Sequence, residues 1–77
     1  METKILDIIR ERFDEQNPSL NQHLREDLFF DSLDIVELCM LVEKRCDVSI
    51  PDEDMAGWDT VQDIVNTVNA IRNESGN

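Results

Sequence analysis

The sequence predicts an all-α fold, a small four-helix bundle made of three main helices and one short helix. Two observations carry that expectation. Three segments place apolar residues at helical spacings of three and four, and none shows the alternation of a half-buried strand. A third observation bounds it: 77 residues leave room for one core, so 1–77 is expected to form a single domain. A domain that size buries only about 60–65% of the surface its unfolded chain exposes.

The first helix is expected from Thr3 to about Asp14, with Ile5, Leu6, Ile8, Ile9 and Phe13 on or near one face. Thr3 suits an N-cap, and Asn17-Pro18 suits a stop, because the residue before proline avoids helical geometry. Residues 15–30 then form a long connection, with Leu20, Leu24 and Leu28 available to pin it to the bundle. Connections of that length without regular structure are often functional. The second helix is expected from Ser32 to Cys46, where Ile35, Leu38, Val42 and Cys46 make an inward stripe. Acids at its start (Asp31, Asp34) and bases at its end (Lys44, Arg45) complement the helix dipole. Within 47–59, Pro51 opens one short helical turn as a favoured first residue. The last helix runs from Thr60 to about Arg72 on Val61, Ile64, Val65, Val68 and Ile71, with Thr60 and Asp63 spaced as a capping box. The tail Asn73–Asn77 is expected to fray.

Charge excludes several functions. Eighteen acidic residues against seven basic leave a net charge of −11, which argues against nucleic acid and against an anionic membrane surface. A partner with a basic patch is the electrostatic complement. No apolar run approaches the roughly 20 residues of a membrane span, and Met1–Arg10 mixes apolar with charged residues unlike a signal peptide. A cytoplasmic monomer without membrane insertion is therefore expected. Cys39 and Cys46 lie about 10 Å apart along one helix, beyond the roughly 7 Å a disulfide allows. Cys46 is expected in the core. His23 has no partners at metal-ligand spacing, and Asp52-Glu53-Asp54 lacks the calcium-loop pattern. No nucleophile–base pair or phosphate-cradling glycine loop points to an enzyme.

The informative stretch is Asp27-Leu28-Phe29-Phe30-Asp31-Ser32-Leu33-Asp34-Ile35-Val36-Glu37-Leu38. With Ile50-Pro51-Asp52 and Thr60-Val61-Gln62-Asp63 following in order, it resembles the acyl carrier protein family from Leu24 to Ile71. The resemblance implies an acyl carrier protein-like bundle in which Ser32 receives a covalent 4'-phosphopantetheine from coenzyme A through a phosphopantetheinyl transferase. It further implies acyl thioesters on the arm, serving fatty acid or related polyketide and lipid biosynthesis. A loop-to-helix serine suits this use, since free N–H groups at a helix start favour an anion. The bland reading of Ser32 is an ordinary N-cap.

Asp31, Leu33, Asp34, Glu37, Met40 and Glu43 are, by the same resemblance, the docking face for acyl-transfer and synthase enzymes with basic patches. Their bland reading is a solvated helix face. Val36, Leu41, Ile50, Val61 and Ile64 are candidates to line an acyl pocket between the second and last helices, or plain core.

Three departures from the family stand out. Phe29 occupies a position usually held by glycine, which argues against a backbone only glycine adopts there. One ring of the Phe29-Phe30 pair is expected in the core, and a specialised contact near Ser32 is the alternative. Lys44 and Arg45 fall where many members stay acidic, weakening the far end of the docking face. Trp58 is similar to the D-alanyl carrier branch, but the Asp-Ser-Leu-Asp run fits the acyl branch better, and Trp58 is expected to anchor the short helix against the bundle. Two other functions thus stay open: an amino-acyl carrier of a specialised pathway, and an acidic adaptor that binds noncovalently.

Overall fold

The apolar stripes of the sequence converge on one core in a computed structural model, which describes residues 2–76. Four helices follow in chain order: α1 (Glu2–Arg12), α2 (Ser32–Cys46), α3 (Asp52–Ala56) and α4 (Val61–Gly76). The α1 helix packs on α2 and α4, and α3 packs on α2. The described residues carry no strand, only an isolated antiparallel bridge between His23 and Thr60.

Ile5, Ile8 and Ile9 bury the inner face of α1, with Leu6 and Phe13 packed at its margin. Thr3 does not cap this helix. Helical geometry already begins at Glu2, whose charge suits the positive end of the dipole. The helix also stops before Asn17-Pro18, because the chain turns at Asp14, a left-handed residue with φ 59°. Aspartate tolerates that region better than most side chains.

The bounds of α2 match the sequence reading, and Ile35, Leu38, Val42 and Cys46 are all buried, joined by Cys39. Asp47 closes the helix in the left-handed region at φ 57°, donating its N–H to the Glu43 carbonyl. The Arg72 guanidinium reaches back to the Cys46 carbonyl at 3.2 Å, placing a cation from α4 on the negative end of α2. Pro51 serves as the N-cap of α3 rather than its first helical residue, with extended ψ of 145°. The Thr60–Asp63 box at α4 forms as expected: Thr60 N–H donates to Asp63 Oδ2 at 2.9 Å, and Asp63 N–H donates to Thr60 Oγ1 at 3.4 Å. Beyond Arg72 the helix continues through Gly76, so 73–76 of the expected tail has helical geometry, and Asn77 lies outside the described residues.

The long first connection is pinned as its leucines suggest. Leu24 and Leu28 are buried and Leu20 is half-buried. Backbone bonds then stitch it to the start of α4: Leu24 N–H to Asp59 O at 2.8 Å, Val61 N–H to Gln22 O at 3.1 Å, and Gln62 N–H to Leu20 O at 2.9 Å. The Val61 and Gln62 bonds satisfy donors that the first turn of α4 cannot satisfy internally.

A titratable contact lies on this seam. His23 Nδ1 sits 3.2 Å from Asp59 Oδ1, and that hydrogen bond and charge, with Glu26 and Asp27 nearby, hold the imidazole above its ordinary pKa. A raised folded value means the contribution is complete below about 6.5 and is lost as pH rises through the folded value. Urea midpoints are therefore expected to fall from pH 6 to 8 more steeply in the wild type than in His23→Gln. Parallel profiles would remove this role from His23. Asp63 acts in a separate acid window. The Thr60 N–H foremost holds its carboxyl below the usual range, so its contribution is lost only as pH falls through that lowered value.

Candidate functional site

The site is built where the stitched connection delivers the chain to α2. Phe30 is 6% exposed and packs against Phe13 with ring centroids 4.6 Å apart and planes tilted by 39°, while its N–H donates to the Leu24 carbonyl at 2.9 Å. Phe29 turns the other way: its ring is 81% exposed and its backbone is left-handed, with φ 61°. The expectation that losing the family glycine removes this conformation is therefore wrong. The left-handed turn persists, and a phenylalanine bears its cost of roughly 1–2 kcal/mol because flanking contacts dictate the backbone path.

One residue further, Asp31 caps α2. Asp34 N–H donates to Asp31 Oδ1 at 2.9 Å, and Asp31 N–H donates to Asp34 Oδ2 at 3.1 Å, a complete capping box. The cap is thus Asp31, not Ser32. Ser32 stands at the first helical position, exposed, with its hydroxyl released from capping. The Asp-x-x-Asp spacing at 31 and 34 was a visible signal for this box. Arg25 Nη2 donates to Ser32 Oγ at 3.3 Å, a neighbour that no periodicity in the sequence reveals.

Beside Ser32 a cleft of about 280 Å³ is lined by Arg25, Ser32, Ile35, Val36, Met55, Ala56 and Trp58. Trp58 is buried and donates Nε1–H to Thr67 Oγ1 at 2.9 Å, which ties the end of α3 to α4. Of the five pocket candidates, only Val36 lines this cleft. Ile50, Val61 and Ile64 are buried in the core, and Leu41 instead faces α1, in a groove of about 570 Å³ shared with Ile8, Glu11, Arg12, Lys44 and Arg45. Arg45 reaches toward Glu11 across that groove at 3.7 Å. The helical period is the reason: Leu41 is five residues beyond Val36, which at about 100° per residue leaves it rotated by roughly 140° to another flank of α2.

The exposed flank of α2 carries Asp31, Leu33, Glu37 and Met40, with Asp34 half-exposed; Leu33 is 79% and Met40 62% exposed. Glu43 departs from that flank. It is half-buried, and its Oε2 accepts the Ile50 N–H at 2.7 Å, so it anchors the loop before α3. That loop leaves the Ile50 donor without a helical partner, and an acid at the end of α2 is close enough to accept it.

The cysteines offer no competing thiol. Neither forms a disulfide and both are buried, and burial foremost, then Glu43 and Asp52, push the Cys39 thiol up to about 11. It stays protonated and unreactive near neutral pH. Among the described residues no cluster of His, Cys, Asp and Glu could hold a metal ion, and no helix is long and apolar enough to cross a membrane.

The chain and its fold have counterparts among known proteins. The family model described as "Phosphopantetheine attachment site" matches residues 3–68. The chain belongs to the acyl carrier protein family. It is 44% identical over 66 residues to the acyl carrier protein of Syntrophobacter fumaroxidans, covering 83% of this chain and 82% of that one. It is 41% identical over 64 residues to the acyl carrier protein of Clostridium perfringens, covering 80% and 84% respectively. The solved structure of a candidate acyl carrier protein from Mycobacterium tuberculosis superposes with a TM-score of 0.84 at 30% identity, over 90% of this chain and 95% of that one. The prosthetic group of such carriers is 4'-phosphopantetheine. The residues at the start of α2 fit it: an exposed hydroxyl free of capping, a guanidinium beside it, and an apolar-walled cleft alongside.

Proposed function

We propose that Ser32 is the attachment residue for 4'-phosphopantetheine, and that the chain is a carrier rather than a catalyst. On this reading it delivers acyl intermediates among enzymes of fatty acid or related acyl biosynthesis. The observation that carries it is the division of labour at the start of α2. Asp31 closes the capping box, so the Ser32 hydroxyl is exposed and uncommitted to the backbone. When bound, the group supplies a thiol that holds acyl cargo as a thioester. The chain's own residues present the hydroxyl, hold the arm's root, and shield an apolar cargo against Val36, Met55 and Trp58.

Asp31, Asp34 and Glu37 supply negative potential around exposed Leu33 and Met40, a surface suited to a phosphopantetheinyl transferase and to synthases with basic patches. Glu43 would add charge at the far end of that surface while it holds Ile50. Weak, fast, electrostatically steered docking suits a carrier that meets several enzymes in turn. Trp58 needs no amino-acyl role, since packing and its bond to Thr67 account for it.

Intact mass before and after incubation with coenzyme A and a broad-specificity phosphopantetheinyl transferase tests the attachment. One phosphopantetheinyl unit is expected on the wild type and none on Ser32→Ala. That substitution, at an exposed position, should leave stability within about 0.5 kcal/mol. Absence of a mass gain on folded, initially unmodified protein would sink the proposal and bring the acidic adaptor forward.

A further inference from the structure

We propose that Arg25 holds the phosphodiester that joins the arm to Ser32, fixing the root of the arm against the cleft; this rests on Ser32 being the attachment residue. In the unmodified chain, among the described residues, the guanidinium donates to a neutral hydroxyl at 3.3 Å, the long end of hydrogen bonding. The chain has 18 acidic residues, yet among the described residues Arg25 forms no ion pair. The nearby carboxylate of Asp27 is engaged elsewhere, accepting the His23 N–H at 2.7 Å.

The backbone that carries Arg25 is firmly placed. Leu24 is fully buried, its N–H donates to Asp59 O, and its carbonyl accepts the Phe30 N–H. A long side chain rooted there and aimed at Ser32 is a binding group awaiting a better acceptor. Transfer from coenzyme A forms the Ser32 Oγ–P bond, breaks the pyrophosphate P–O bond and releases adenosine 3',5'-bisphosphate and the hydroxyl proton. The two non-bridging oxygens of the diester, sharing one negative charge, thereby come within reach of a planar fork of donors. That pairing is stronger than one to a neutral hydroxyl. It also offsets, at the point of attachment, the charge added to a chain of net −11. Because Arg25 and Ser32 both line the cleft with Ile35, Val36, Met55 and Trp58, a held phosphodiester directs the arm along that apolar wall.

The test uses 15N-labelled holo-protein whose modification at Ser32 has been verified by mass. The Arg25 side-chain N–H signals are expected to move between apo and holo protein. The 31P signal of folded holo-protein should differ from that of the same protein unfolded in urea. Arg25→Gln should move the folded 31P signal toward the unfolded value, Arg25→Lys should move it part of the way, and Arg10→Gln, an equal charge change on α1, should leave it in place. Identical 31P signals in folded wild-type and Arg25→Gln holo-proteins would overturn the role of Arg25 while leaving attachment at Ser32 standing. Should Arg25→Gln resist modification, the wild-type Arg25 signals decide, and no apo-to-holo change overturns the proposal. Failure of the wild type to be modified at Ser32 overturns the attachment and this inference together.

Discussion

Phe30→Ala is expected to lower stability by about 3–5 kcal/mol, whereas Phe29→Gly, one residue earlier, is expected to raise it by about 0.5–1 kcal/mol. The Phe30 ring fills core space beneath the connection and packs at a tilt against Phe13, so truncation leaves a cavity and removes an aromatic pair. A chain of this length has a total stability of roughly 4–12 kcal/mol, so Phe30→Ala removes much of it. At Phe29 the sign reverses. The ring is exposed and contributes no core burial, while the backbone bears left-handed strain at φ 61°. Glycine relieves the strain of about 1–2 kcal/mol and returns some of it through its greater freedom when unfolded. Urea titrations followed by helical circular dichroism measure both. If Phe29→Gly were as damaging as Phe30→Ala, the exposed placement of Phe29 would be wrong.

Trp58→Ala is expected to cost a similar amount, about 3–5 kcal/mol, and to act directly on the site. The indole is buried, bonds to Thr67, and forms one wall of the cleft beside Ser32. Its loss both hollows the core and detaches the α3 end from α4. Trp58→Phe separates the two contributions: it retains most of the packing and gives up the Nε1–H bond, for which about 0.5–1.5 kcal/mol is expected. Equal losses for the two variants would show that the hydrogen bond, not the ring, holds this corner. A loss below about 1 kcal/mol for Trp58→Ala would show that the cleft wall is dispensable to the fold.

The helices were the legible part because helical order is local. Apolar residues three and four apart share a face whatever lies across from them, so the stripe Ile35, Leu38, Val42 and Cys46 could be read directly, and so could the bounds of α2. The box at Thr60 and Asp63 was equally plain, since its partners are three residues apart. The equivalent box at Asp31 and Asp34 has the same local spacing, which in sequence also suits acids that merely favour the dipole. Pocket lining was harder. Val36 and Leu41 look alike as apolar neighbours on one helix, yet they face different clefts because their neighbours come from distant chain segments.

By itself, the sequence determined an all-helical bundle, most members of its core, its net acidity, and the candidate serine at the head of α2. Only the tertiary structure decided where the first connection lies, that Phe29 takes a left-handed turn, that Glu43 is drawn to Ile50, and that Arg25 reaches Ser32. The physical reason is range. A helix answers to side chains within one or two turns, whereas a connection adopts whatever path pairs its backbone with partners such as Asp59 and Val61, more than 30 residues away in sequence.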